Sequence, residues 1–136
     1  MTLPVVEFFN RYSEAYSNHD INAIVDCFAI PSIVMTDSKK IIFIKREMLE
    51  EKIDAVICRY EELGIRRAEA KIAQILKLST TMRFCNVDWF FFDKEGSVLF
   101  ECEASYTIQV EDEIYKIVAL VVNNEEDAYF QTVQHW

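Results

Sequence analysis

Glycine and proline are scarce, with two of each among 136 residues. So few breakers exclude collagen-like, linker-like and low-complexity architectures. Histidine is also rare: His19 and His135 stand far apart in the chain. The four cysteines, Cys27, Cys58, Cys85 and Cys102, form no C-x-x-C pair. With the cysteines widely spaced and only two histidines available, neither a zinc site nor a disulfide scaffold is expected. The thiols are read as reduced and mostly buried, and no metal or other cofactor is implied. No basic segment leading into an apolar stretch marks a secretory signal. No apolar run reaches the roughly 18 residues of a membrane span. The expectation is a cytoplasmic protein.

What is present is apolar and aromatic. Hydrophobic residues make up 51% and aromatics 13%, with ten phenylalanines, a composition that can fill a core. The length suits one domain, residues 1–136, with the tail from 123 unassigned. The net charge of −9 is unevenly spread: eleven of the fourteen basic residues lie between Lys39 and Arg83. An acidic chain disfavours nucleic acid and anionic membranes as partners. The basic pair Arg66 and Arg67 is read as part of a solvated face.

Pro4 suits a first helical turn, where its missing N–H would have had no partner. Val5, Phe8, Phe9, Tyr12, Ala15 and Tyr16 then recur at helical spacing up to Ser17. Asp20 can cap a short second helix, whose apolar face is Ile21, Ile24, Val25 and Phe28 and which Pro31 ends. Ser32–Met35 and Ile41–Ile44 read as a small hairpin. A third helix covers about Arg46–Leu63, with Met48, Leu49, Ile53, Val56, Ile57 and Tyr60 inward and Gly64 closing it. Ala68–Leu78 has helical propensity but precedes a run of strands, and we assign it as a strand.

Met82 to Val122 carries three strands joined by DKEG and EDE. In the middle one, Val98, Phe100, Cys102, Ala104, Tyr106 and Ile108 share an apolar face, with Leu99, Glu101, Glu103, Ser105, Thr107 and Gln109 on the other. That alternation marks an antiparallel strand covered on one side. Ile114–Val122 is apolar apart from Lys116 and is expected to be central and buried on both faces. Residues 123–136 could add an edge strand or pack across a neighbour. The resulting fold class is α+β, with a curved antiparallel sheet wrapped around N-terminal helices.

From NRYSEAYSNHDINAIVDCFAIPSIVMTD at the front and YTIQVEDEIYKIVAL at the back, the chain resembles the nuclear-transport-factor-2-like superfamily. That is the cystatin-like, cone-shaped fold of ketosteroid isomerases and SnoaL-like polyketide cyclases. The resemblance implies a pocket between helices and sheet, and a homodimer formed through the sheet. It places the isomerase oxyanion donor on Tyr12. The general base falls on Thr36, with Asp37 one residue later, and the second donor falls near Tyr106. Threonine cannot take a carbon-bound proton, and losing a positioned base forfeits roughly 10²–10⁴-fold. A one-residue shift also turns Asp37 to the opposite strand face unless a bulge intervenes.

The candidate residues follow. Tyr12, Tyr16, Thr36, Trp89 and Tyr106 are candidate ligand contacts; Asp88 and Asp37 are candidate catalytic acids. Asp88 lines the pocket only if its strand turns Asn86 and Asp88 inward; otherwise Val87, Trp89 and Phe91 face in, and Trp89 is a pocket wall or a dimer contact. Asp26, Glu101 and Glu103 are read as solvent-facing, and Cys102 as inert core. The function expected is a non-catalytic domain binding a small apolar molecule, with a cofactor-free isomerase or lyase using an Asp base and a dimerisation module with a filled cavity as the alternatives.

Overall fold

A computed structural model describes residues 3–123; positions 1–2 and the segment 124–136, where the sequence allows either an edge strand or packing across a neighbour, lie outside the described residues. Helix α1 spans Pro4–Ser17 with proline in its first turn. It closes in a Schellman motif: Asp20 N–H donates to the Ala15 carbonyl at 2.9 Å and His19 N–H to the Tyr16 carbonyl at 3.1 Å. The left-handed position of that motif is filled by His19, at φ 53°. Helix α2, Ile21–Asp26, is capped by Asp20, whose Oδ1 accepts from Ala23 N–H at 3.2 Å. Helix α3, Arg46–Glu62, ends the same way as α1, with Gly64 at φ 81° and Ile65 N–H donating to the Tyr60 carbonyl.

Among the described residues, six strands form one sheet: β1 Phe28–Met35, β2 Lys40–Phe43, β3 Arg67–Lys77, β4 Met82–Phe92, β5 Val98–Glu111 and β6 Ile114–Asn123. Their spatial order is β2-β1-β6-β5-β4-β3. The assignment of Ala68–Leu78 as strand is met by β3. Its register against β4 supplies the interstrand bonds and apolar contacts that outweigh helix propensity.

Several expectations need correction. The sheet is mixed, because β1 and β6 run parallel. The second helix stops at Asp26, and β1 begins at Phe28 and passes through Pro31, joined to Ile30 by a cis peptide bond. Met48 lies on the exposed side of α3, and Val98, at the start of β5, is exposed rather than part of its apolar face. Strand β6 is central but covered on one face only. A bulge at Val118 resets its alternation, so Ile117, Leu120 and Val122 point inward while Val121 stays exposed. Of the four free thiols only Cys85 is fully buried.

The core lies between the helices and the inner sheet face. Phe8, Phe9, Tyr12 and Tyr16 of α1 meet Trp89, Phe91, Phe100 and Tyr106 of the sheet, with Leu49, Ile53 and Ile57 of α3 completing the wall. The ring stack Trp89–Phe91–Phe100 runs across β4 and β5, its last pair 4.4 Å apart. Ser17 ties α1 to the edge of the sheet: its Oγ accepts from Ala68 N–H at 2.9 Å and donates to the Ala68 carbonyl at 3.1 Å.

Candidate functional site

The helix spacing of α1 stacks Tyr12 and Tyr16 on one face, and their hydroxyls are hydrogen-bonded at 3.1 Å. Across the core, the β4–β5 register sets Cys85 opposite Tyr106 and Trp89 opposite Cys102, on the inner face. Trp89 Nε1–H donates to the Tyr106 hydroxyl at 3.0 Å. The rings of Tyr12 and Tyr106 sit 5.8 Å apart edge to face, which brings the two hydrogen-bonded pairs side by side. Tyr12 is wholly buried and Tyr106 nearly so.

At this junction lies a cavity of about 30 Å³, lined by Tyr12, Tyr16, Tyr60, Trp89, Phe91, Cys102, Ala104, Tyr106, Leu120 and Val122. That space admits water, for which roughly 10–15 Å³ suffices, and is far below the several hundred Å³ of an ordinary ligand pocket. Aromatic rings therefore fill most of the cone. Burial pushes the phenols of Tyr12, Tyr16, Tyr60 and Tyr106 well above the usual tyrosine range, and their mutual proximity adds to the shift in Tyr12. The same desolvation, followed by the charges of Glu103 and Asp88, raises the Cys102 thiol far above its normal value. Such groups donate hydrogen bonds and remain neutral; thiolate or phenolate chemistry is disfavoured there.

Of the sequence candidates, the structure brings together Tyr12, Tyr16, Trp89 and Tyr106, with Trp89 as a cavity wall. Thr36 and Asp37 lie elsewhere. Thr36 closes the turn between β1 and β2, its Oγ1 accepting from Lys39 N–H at 3.1 Å. Asp88 sits on the outer sheet face, because pairing puts Val87, Trp89 and Phe91 inward and leaves Asn86 and Asp88 outward. There Asp88 stands between Lys71 on β3 and Glu103 on β5. Asp37 and Asp88 share an outer depression of about 410 Å³ with Asn86, Glu103, Ser105 and Asn123. The sheet separates both acids from the phenols. Sequence reading missed Tyr60, Phe91 and Cys102 as cavity walls. Tyr60 was legible as an inward α3 residue, but nothing in the sequence aimed it at Tyr16, 6.1 Å away between ring centres.

The outer face has its own pattern. Successive pairings set Leu76, Phe84, Thr107, Ala119, Ile33 and Ile42 in one row across all six strands. Leu76, Ile42 and the neighbouring Val121 are 44%, 58% and 42% exposed, and no described helix packs on this side. The next row carries a side-chain ladder: Asn86 Nδ2 donates to Gln74 Oε1, and Ser105 Oγ donates to Asn86 Oδ1, both at 2.8 Å.

Residues 4–125 match the family described as NTF2-like protein (DUF6841). No curated protein matches the sequence. Among solved structures, an NTF-2-like protein of unknown function from Shewanella oneidensis MR-1 aligns with a TM-score of 0.71 at 13% identity, over 89% of this chain and 97% of that one. A domain of unknown function with a cystatin-like fold from Nostoc punctiforme aligns at 0.71 and 11% identity, over 93% and 78%. A ketosteroid isomerase-like protein from Erwinia carotovora atroseptica aligns at 0.62 and 12% identity, over 90% and 95%. These likenesses establish the NTF2-like, cystatin-like cone.

Proposed function

Because the chain belongs to the NTF2-like family, we propose that it serves as a non-catalytic association domain, pairing with a second copy through the outer sheet face. The observation that carries this reading is the apolar row from Leu76 to Ile42 on a sheet whose cone is already filled with rings. An antiparallel sheet face turned to water is normally polar. Six strands spaced by about 4.8 Å span roughly 24 Å, so this face can bury on the order of 600 Å² per partner, near the lower end of stable interfaces. The outward placement of Asp88 and the turn position of Asp37 speak against either acid as a base working on a molecule in the cone.

Light scattering coupled to size exclusion tests it directly. The 16.0 kDa chain should elute at twice its mass. Leu76→Glu and Ile42→Glu, both at exposed positions, should return it to the monomer with an unchanged circular dichroism spectrum. A wild-type monomer at tens of micromolar would sink the reading.

A second reading, a small-molecule site between helices and sheet, is favoured by the convergence of Tyr12, Tyr16, Trp89 and Tyr106. Since the cavity is about 30 Å³, a ligand of ordinary size must displace side chains. Native mass spectrometry of freshly purified protein, with denaturing release of any adduct, should show a bound molecule if this reading holds. A clean spectrum from protein purified without detergent or heating counts against it.

A further inference from the structure

The two open edges of the sheet are not alike. On β3, Ser17 occupies the Ala68 backbone groups and a bulge interrupts the strand. The other edge, β2, pairs with β1 in unbroken register from Ser32 opposite Phe43 to Met35 opposite Lys40. Its hairpin is closed by Thr36 N–H, which donates to the Lys39 carbonyl at 2.9 Å. In an antiparallel ladder, hydrogen-bonded and non-hydrogen-bonded pairs alternate. Thr36 and Lys39 form a bonded pair, so Val34 with Ile41 and Ser32 with Phe43 are bonded pairs too. Lys40 and Ile42 therefore turn their N–H and C=O groups away from β1, to the side where no described strand lies. Each offers a donor and an acceptor in the plane of the sheet.

The surroundings of this edge are cationic and apolar. Lys39 and Lys40 stand at one end and Lys45 at the other, all exposed, with Ile42 and Ile44 exposed between them. Lys52 of α3 approaches the same turn. Burial lowers its ammonium below the usual lysine range, and the charge of Lys39 adds to the shift. Asp37 lies in the turn, yet none of these four lysines forms an ion pair among the described residues.

We propose that β2 is a docking edge for an extended acidic segment of another protein, which adds to the sheet as a further strand. The incoming backbone bonds the free groups of Lys40 and Ile42, and acidic side chains at its two ends meet Lys39, Lys40 and Lys45. Opposite charges facing each other across strands are favourable, and like charges are not. A second copy of this edge is therefore a poor occupant. Antiparallel pairing centred on Ile42 sets Lys39 of each copy against Lys45 of the other. Lysines and shortness also keep an edge from aggregating. Here the lysines stand at the ends and leave the middle apolar, so they select the charge of the partner. The edge lies in the plane of the sheet, apart from the outer-face association, and loss of the dimer leaves this inference intact.

Amide exchange at Lys40 and Ile42, read by nuclear magnetic resonance on the full chain, tests it. The probe is a heptapeptide that alternates glutamate with valine. At about nine-tenths occupancy, both amides should exchange about tenfold more slowly. The same peptide methylated on alternate backbone nitrogens, which removes its edge-facing donors, should bind at least about tenfold more weakly. Lys39→Glu combined with Lys45→Glu, both at exposed positions, should weaken the unmodified peptide by a similar factor. The methylated peptide reads the edge on the wild type, whether or not that variant folds. Unchanged exchange at millimolar peptide overturns the proposal, and so does equal binding of a peptide with lysine in place of glutamate. Slow exchange at both amides in the protein alone also overturns it, because this chain or a second copy then covers the edge.

Discussion

Tyr12 and Asp88 show how differently two polar residues count. The Tyr12 hydroxyl is wholly buried and bonded to Tyr16, so Tyr12→Phe leaves its neighbours short of a partner. The expected cost is about 1–3 kcal/mol in urea unfolding. Asp88 sits half-buried between Lys71 and Glu103, one attractive and one repulsive neighbour. Asp88→Asn should therefore change stability by less than about 1 kcal/mol, either way. A large loss there would show a role that the outer face does not explain. The phenols also set an alkaline limit. Tyr12, Tyr16, Tyr60 and Tyr106 have folded-state values raised by burial above the unfolded value near 10. Their contribution is whole below about pH 10 and is lost as pH rises above it, because only the unfolded chain can ionise freely. Each such tyrosine costs up to about 1.4 kcal/mol per pH unit there. Urea midpoints should be level through neutral pH and drop steeply in the alkaline range, in step with tyrosinate absorbance. Residue by residue, legibility tracked local chemistry. Gly64 was readable as a helix stop because glycine tolerates positive φ. His19 fills the equivalent position with no glycine to announce it.

At the scale of elements, β3 is an edge strand eleven residues long with Ile75 and Leu76 exposed. Three features shield that edge: Ser17 occupies the Ala68 backbone groups, a bulge interrupts the strand at Ala73, and Lys71 and Lys77 flank the apolar pair. Ser17→Ala should cost about 1–3 kcal/mol and speed amide exchange at Ala68. Replacing both Lys71 and Lys77 by valine should raise aggregation, read by turbidity on mild heating, with little change in the melting temperature. The elements themselves were largely legible: α1, α3 and β5 follow from spacing alone, and β4 from its apolar run and the turn that ends it. What period cannot supply is which face of β4 turns inward. Asn86 and Asp88 alternate with Phe84 and Phe90, so both faces of that strand carry apolar residues. Pairing to β5, far along the chain, decides the matter. The short helix was overrun for a similar reason: Phe28 continues its apolar pattern, yet it pairs with Ile117 as a strand residue.

For the whole molecule, the parallel join of β1 to β6 governs the order in which the sheet can be completed. Phe28 and Ile117 are roughly ninety positions apart, and such distant pairings slow folding because a long loop must close first. Strands β3 to β6 can zip as consecutive hairpins, whereas β1 and β2 have no sheet to join until β6 is made. On the ribosome the β1–β2 hairpin is therefore synthesised early and waits, with Ile42 and Ile44 exposed even in the finished fold. Of the six strands, this pair is made first and is the last to gain the protection of the sheet.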